Sequence, residues 1–597
     1  MTGEQTHKST PFRERRFSGA ERFRPLQLIV VLVSAIIVLR LAQVQIIQFN
    51  FYNALASGQR DLYLELFPER GEIFVKDKDG TEAPLATNIF LNFVWAEPRK
   101  VENAEGVAET LSDLLGYEKK DEGTEEGELD KSELLLQKLK KENDPYEPIE
   151  HRVSDDVADI IRAANLAGIH IADERIRYYP ESESSAHITG FVSADDKGVF
   201  IGKYGLEGFL DDELAGKGGY VFSERDAKGR WISIGLKNLR PAEDGVDLLL
   251  TIDRAVQFQA CGALKNGVKK AEADSGSVII LDPKTGAILA MCGYPTFDPN
   301  NYGSVDSIAD YNNQAIFGAY EAGSVVKPLA MAGAIDVGAV SPNTTFEDVG
   351  EVKVDRFTIR NAGLKSYGQQ TMTGVLVHSI NTGMVFVTRK LGAEQMGRVL
   401  KRFGLGQKTG VPLDSEVSGD VSSLDKGHEV YAATAAFGQG MTITPIQLAA
   451  AYSALANGGT MFRPYLIAEK RYADGSIWRA EKETVGQIVS EKTAQLVSAM
   501  LVSVVEEAYK KSIAIPGYYI AGKTGTAQVP KGNGAGYKED DTKGTFVGYF
   551  PAQNPQFVVL VRVDHPRTTQ WAEGSAGPIF KEIARFLIQY SGIPPEK

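Results

Sequence analysis

The chain has 597 residues, a formal net charge of −13, 43% hydrophobic and 24% charged residues, which is the balance of a globular protein with room for two or three domains. The negative charge speaks against nucleic acid as a partner. Two cysteines, Cys261 and Cys292, exclude a disulfide framework and a cysteine zinc site and leave their own pairing open, and the seven histidines show no metal-binding spacing, so neither metal nor cofactor is expected.

Residues 1–25 carry six Lys or Arg against three Glu, and residues 26–49 form a membrane-length apolar stretch with an uncharged centre from Leu28 to Leu39. The basic flank predicts a cytoplasmic N-terminus, a single-pass anchor in a cytoplasmic membrane and an extracytoplasmic remainder after about residue 50. A cleaved signal peptide is the rival reading, but no A-x-A-like site follows and Leu41, Val44, Ile46 and Ile47 continue the run. Arg40, Gln43 and Gln45 interrupt its outer half; Arg40 either snorkels to the interface or faces another membrane protein.

From Pro68 the pattern is one of short strands and turns, with Arg70 and Glu207 expected to form a packed salt bridge. Between Tyr117 and Glu150 the sequence is highly charged; Leu134 to Leu139 is read there as a solvated amphipathic helix. Beyond Gly245, Val246 to Ile252 reads as a strand, Ala255 to Ala271 as a helix, and Ser277–Asp282 with Ala287–Met291 as a hairpin of buried strands.

Gly323-Ser324-Val325-Val326-Lys327-Pro328 then opens a helix whose Ala-, Leu- and Met-rich continuation, Leu329 to Ile335, suits burial. A spacing of three puts Ser324 and Lys327 on one face, so a neutral lysine can take the proton of a serine hydroxyl and make it a nucleophile. The ordinary lysine pKa of about 10.4 is too high for that task, which demands burial or a nearby positive charge. Ser379-Ile380-Asn381 follows 55 residues after Ser324, and Lys523-Thr524-Gly525 a further 144 residues on. The segment between Leu329 and Asn457 reads as mostly helical and holds Phe437-Gly438-Gln439-Gly440 before Thr444-Pro445 and a helix from Ile446 to Asn457. Gly517 to Thr524 also satisfies the phosphate-loop pattern, but the bulky strand formers Tyr518, Tyr519 and Ile520, and Gly525 where a helix should start, argue for a strand edge instead. Phe546–Phe550 and Phe557–Val563 supply further strands and Gly577–Tyr590 a closing helix.

The ordered trio S-x-x-K, S-x-N, K-T-G resembles the penicillin-binding proteins, the serine acyltransferases that share a fold with serine β-lactamases. Arg70-Gly71-Glu72-Ile73, Arg177-Tyr178-Tyr179-Pro180, His187-Ile188-Thr189-Gly190 and Gly205-Leu206-Glu207-Gly208 resemble the pedestal of the class B, monofunctional members, nearest to the septal type. The resemblance implies a mixed α/β (α+β) fold: a cytoplasmic tail at 1–25, an anchor at 26–49, a β-rich pedestal at 60–240, and a transpeptidase domain at 245–592 with a central antiparallel sheet flanked by helices. It implies that Ser324 attacks a D-alanyl-D-alanine peptide end, that Lys327 is its base, and that Ser379 relays the proton. Asn381 would hold Lys327 and the substrate amide, while Lys523, Thr524, Gly525 and Thr526 would receive the terminal carboxylate. The backbone N–H groups of Ser324 and Thr526 would form the oxyanion hole. Ile380 departs from the Asp often found at its position but leaves the two outer polar residues in place. The implied partners are peptidoglycan stem peptides, β-lactam antibiotics, a separate membrane glycan polymerase of the shape, elongation, division and sporulation class, and other division proteins. A D,D-carboxypeptidase or β-lactamase-type hydrolase uses the same trio with water as acceptor, and a β-lactam-binding scaffold without turnover is the non-enzymatic alternative.

Overall fold

The computed structural model describes residues 19–49, 61–117, 130–194, 200–224, 238–531 and 536–597. Most of the basic tail, the connector at 50–60 and the charged run at 118–129 lie outside the described residues. The chain divides into two compact units, residues 1–68 with 217–243, and residues 69–216 with 244–597.

In the first unit, the helix Gly19–Ala42 continues through a wider turn at Gln43–Ile47. Its stretch Leu26–Ile47 has a mean hydropathy of 2.3, is not buried, and is long and apolar enough to cross a membrane. Arg40 donates to Gln43 Oε1 at 2.8 Å, so these two polar groups answer each other along the helix. The same unit holds a three-stranded antiparallel sheet of Asp61–Leu66, Gly219–Glu224 and Asn238–Arg240.

The second unit contains two larger sheets. In the first, the long strand Glu82–Ala96 pairs antiparallel with Ile73–Lys76, Glu147–Val153 and Ile169–Tyr178. Alternation sends Val94 and Ala96 to one face, where they meet Leu111, Leu135, Leu139 and Ile161 from three helices in a small separate core. The helix Ala104–Leu115 is started by Asn103, whose side chain accepts from Gly106 N, and stopped by Gly116 at φ 68°. The helix Lys131–Leu139 departs from the solvated reading: Leu135 and Leu139, four apart, are both buried, because one apolar stripe suffices to dock a helix whose other faces are charged. Glu207 is fully buried between Arg70, which donates from Nε at 2.6 Å, and Arg177, which donates from Nε at 2.7 Å.

The strand Asp247–Asp253 also belongs to this sheet. It runs parallel to Ile73–Lys76 and antiparallel to Ile467–Arg471 rather than opening the second sheet. The second sheet has five antiparallel strands in the order Ile288–Tyr294, Ser275–Leu281, Phe557–Asp564, Tyr537–Phe550, Ala521–Pro530. Every residue of Phe557–Asp564 is buried, so this strand has cover on both faces. The helices Arg254–Lys270 and Ala576–Ser591 pack together with the sheet, as does Pro445–Ala456, which is apolar and buried all round and starts with a capping box between Thr444 and Gln447. Cys261 and Cys292 form a disulfide that ties the first of these helices to the neighbouring strand, with a Cα–Cα distance of 5.4 Å.

Two further differences concern local structure. Tyr518 to Ile520 precede the strand, which starts at Ala521. The stretch read as mostly helical contains two short antiparallel pairs, Thr345–Asp348 with Gly368–Thr371 and Glu351–Val354 with Phe357–Arg360. The second is a hairpin that turns at Asp355, φ 52°, and buries Val354 and Ile359, an alternation too short to stand out between helices.

Candidate active site

Ser324 stands on a single tight turn, Gly323–Val326, that runs directly into the helix Lys327–Asp336, with Pro328 in its first turn where a missing N–H costs nothing. Lys327 N–H donates to Ser324 O, which fixes the spacing of the two side chains. The turn is held from three sides. Tyr452 OH donates to Val325 O at 2.7 Å, Gly323 N–H donates to Gly438 O at 3.0 Å, and Gly525 lies against Ala322 and Val325. A side chain at position 438 would sit 2.1 Å from Gly323 O, and one at 525 would sit 2.5 Å from Ala322 O, so both positions require glycine for close backbone approach. The Phe437–Gly440 segment thus backs the serine.

Lys327 is completely buried, and its amine reaches Ser379 O at 2.5 Å, Asn381 Oδ1 at 2.8 Å and Ser379 Oγ at 3.2 Å. Ser379 adopts φ 56°, a left-handed conformation uncommon outside glycine, in the turn before the helix Asn381–Leu391. Burial, and after it the charge of Lys523, push the Lys327 ammonium well below the ordinary lysine pKa, the condition a neutral base requires. The Ser324 hydroxyl has no hydrogen-bond partner among the described residues.

Lys523 is likewise fully buried. It lies on Ala521–Pro530, the last strand of the sheet in order, donating to Thr524 O at 3.1 Å and Tyr509 OH at 3.4 Å. Tyr509 OH also pairs with Thr524 Oγ1 at 2.5 Å, and Thr526 Oγ1 accepts from Ala572 N–H at 3.0 Å. A cleft of about 640 Å³ opens over Ser324, Ser379, Asn381, Thr524 and Thr526, with Lys327 and Lys523 behind its wall. Gly525 is not among its lining residues.

Sequence reasoning missed several residues of this cleft. Tyr509, Gln528 and Trp571 line the side of the terminal strand, and Arg360, Asn361 and Tyr367 line the side of Ser379 and Asn381. Glu321, just before the serine's turn, accepts from Gly440 N–H and from Tyr537 OH, both at 3.0 Å. None belongs to a short motif, and their roles depend on contacts across 14 to 216 positions of sequence.

A buried lysine one turn after a serine that opens into the cleft, and a second buried lysine on the edge strand of the sheet beside it, define a serine acyltransferase site. The chain belongs to the penicillin-binding protein family: residues 276–585 match the penicillin binding protein transpeptidase domain and residues 65–250 the penicillin-binding protein dimerisation domain. That pairing of domains makes it a class B member. It is 34% identical over 574 residues to stage V sporulation protein D of Bacillus subtilis, covering 95% of this chain and 85% of the relative. It is 30% identical over 591 residues to the peptidoglycan D,D-transpeptidase FtsI homolog of Mesostigma viride, covering 94% of each. Among solved structures, a peptidoglycan synthetase from Bifidobacterium adolescentis superposes with a TM-score of 0.68 at 26% identity, covering 90% of this chain and 98% of that one.

Proposed function

We propose that this chain is a membrane-anchored peptidoglycan D,D-transpeptidase, and the observation that carries the reading is the fully buried Lys327, with its lowered pKa, behind Ser324 in an open cleft. Neutral Lys327 takes the Ser324 proton as the hydroxyl oxygen attacks the penultimate carbonyl of a D-alanyl-D-alanine end. The tetrahedral oxyanion is received by the N–H groups of Ser324 and Thr526, each worth about 3 kcal/mol in sites of this kind. Ser379, 3.2 Å from the lysine amine, carries the proton to the departing D-alanine amine. The acyl group then passes from Ser324 to the amine of a neighbouring stem peptide. Lys523 with Thr524 and Thr526 attracts the terminal carboxylate; Gly525, pressed against Ala322, acts by close packing.

The domain limits are a pedestal at 60–240 and a transpeptidase domain at 245–592, a reading supported by family matches over residues 65–250 and 276–585. The basic tail favours a cytoplasmic N-terminus and an extracytoplasmic catalytic domain. A monofunctional cross-linker needs a separate glycan polymerase, which the anchor and pedestal would meet, and the likeness to a sporulation protein and to an FtsI homolog favours septal synthesis over elongation.

A time course of intact mass for the full-length chain in detergent with benzylpenicillin tests the reading. One lasting adduct on Ser324, abolished in Ser324→Ala, is the expected outcome. Rapid loss of the adduct with antibiotic turnover would make the chain a hydrolase, and labelling of Ser324→Ala would remove the nucleophile.

A further inference from the structure

Resting on the acyl-transfer reading above, we propose that Asp348 and Asn361 are positioning residues for the lysine base, acting through Asn381. Asn381 Oδ1 accepts from Lys327 Nζ at 2.8 Å, so the placing of the base depends on the placing of Asn381. Asn381 opens the helix Asn381–Leu391, and the residue at the cap position of that helix, Ile380, has no side-chain oxygen to offer its first N–H groups. Asn361 supplies one from another element. Its Oδ1 accepts from Asn381 N–H at 3.0 Å and from Thr382 N–H at 3.1 Å, which is an N-cap delivered across twenty positions of sequence.

Asn361 is in turn oriented by Asp348. The Asn361 amide donates to both carboxylate oxygens, at 3.0 and 2.8 Å, and this fixes which way its Oδ1 faces. Asp348 is 1% exposed and has no Lys or Arg partner among the described residues; it is held instead by Gly350 N–H, Tyr367 N–H and the Thr382 hydroxyl, the last at 2.6 Å. Thr382 closes the loop, since it follows Asn381 in the chain and touches both Asp348 and Asn361. The Asn381 amide nitrogen donates to Arg360 O at 2.9 Å, so the same segment holds this side chain from its other end. The chain of contacts from carboxylate to base is therefore Asp348, Asn361, Asn381, Lys327. The Glu351–Arg360 hairpin and the flanking strands serve to bring Asp348 and Asn361 to the start of this helix.

The acylation rate of the full-length chain by benzylpenicillin is the test, measured on samples whose thermal unfolding midpoints confirm folding. Asp348→Asn replaces an acceptor by a donor facing donors, and an acylation rate at least tenfold below the parent is expected. The decisive comparison is the double variant Asp348→Asn/Asn381→Ala. If Asp348 acts through Asn381, the double variant acylates within threefold of Asn381→Ala alone, whereas a further loss beyond threefold overturns the proposal. A loss of less than tenfold in folded Asp348→Asn also overturns it. Should Asp348→Asn fail to fold, Thr382→Val takes its place in the same cycle under the same limits, and Thr382→Ser, which keeps the hydroxyl, is expected to restore the lost rate; failure to restore it overturns the proposal. A parent chain that is not acylated brings down the acyl-transfer reading and this inference together, whereas an acylated parent matched by its variants brings down the inference alone.

Discussion

Among the buried carboxylates of the second unit, Glu207 at 0% and Asp348 at 1% exposure are the most deeply buried, and they are solved in opposite ways. Glu207 sits between two guanidinium groups, Arg70 and Arg177, with Tyr179 OH donating at 3.3 Å. Asp348 has only neutral donors around it. Burial pushes its carboxyl up, but the Thr382, Gly350, Asn361 and Tyr367 donors outweigh burial and hold it below the ordinary carboxylate value. An ion pair is strong over a range of geometries, which suits the joining of segments far apart in sequence. A set of neutral hydrogen bonds is directional, which suits fixing one side chain's orientation at the start of the helix Asn381–Leu391.

The contrast is broken most severely by Glu207→Ala, which leaves Arg177 buried without a carboxylate partner among the described residues and Arg70 with Asp211 alone. Loss of about 3–5 kcal/mol of stability is expected, read as a large fall in unfolding midpoint, because stripping one partner from a buried ion pair leaves the other uncompensated. The folded fraction should acylate at the parent rate per molecule. A slowed rate in that fraction would mean that the pedestal carboxylate reaches the site and that the two solutions are not separate.

The charge beside the base sharpens the comparison from the other side. In the proposed mechanism Lys327 is a base only when neutral, so acylation is expected to be full above its depressed pKa and to be lost as pH falls through it. Lys523 is the second cause of that depression, after burial. Lys523→Met removes it, so the Lys327 pKa rises and the acid limb of the acylation rate moves to higher pH, by an amount worth about 1.4 kcal/mol per unit moved. The measurement is the acylation rate between about pH 5 and 9, within the range where a lowered lysine titrates. An acid limb that stays in place would show that burial alone sets the base.

How much of this was legible follows from where the information lies along the chain. Ser324 and Lys327, Ser379 and Asn381, Lys523 and Thr524 are local pairs, each fixed by one turn or one strand edge; no pair is telling by itself, and it is their order along the chain, through the resemblance to the family, that points to them. The Arg70–Glu207 pair was legible too, though the second arginine, Arg177, was not. Asp348 and Asn361 carry no such mark. One ends a four-residue strand, the other follows a hairpin, and only the fold brings them to Asn381. Charge misled the reading of Lys131–Leu139, where two leucines among polar residues seat the helix. The strand Asp247–Asp253 was legible as a strand but not in its partner, since hydrophobic alternation specifies a face and says nothing of which neighbour will share the hydrogen bonds.

The smallest expected effect falls on the wall of the cleft opposite Asp348. Tyr509 OH stands between Lys523 Nζ, at 3.4 Å, and Thr524 Oγ1, at 2.5 Å, and the lysine also lies over the tyrosine ring at 5.8 Å from its centre. Tyr509→Phe keeps the ring and deletes the hydroxyl, so the packing under Lys523 stays while the hydrogen bond with Thr524 and the long one from Lys523 are lost. One neutral hydrogen bond is worth about 1 kcal/mol, roughly a fivefold change. Thr524 is a carboxylate-binding residue in the proposed mechanism, so the loss should appear as a weaker binding constant for benzylpenicillin with the limiting acylation rate retained. Asn381→Ala, on the Asp348 side, should show the reverse split, a lower limiting rate with binding less affected. If both variants alter the same constant, capture of the carboxylate and activation of the serine are not divided between the two walls, and the assignment of Lys523 to binding and Lys327 to chemistry fails with them.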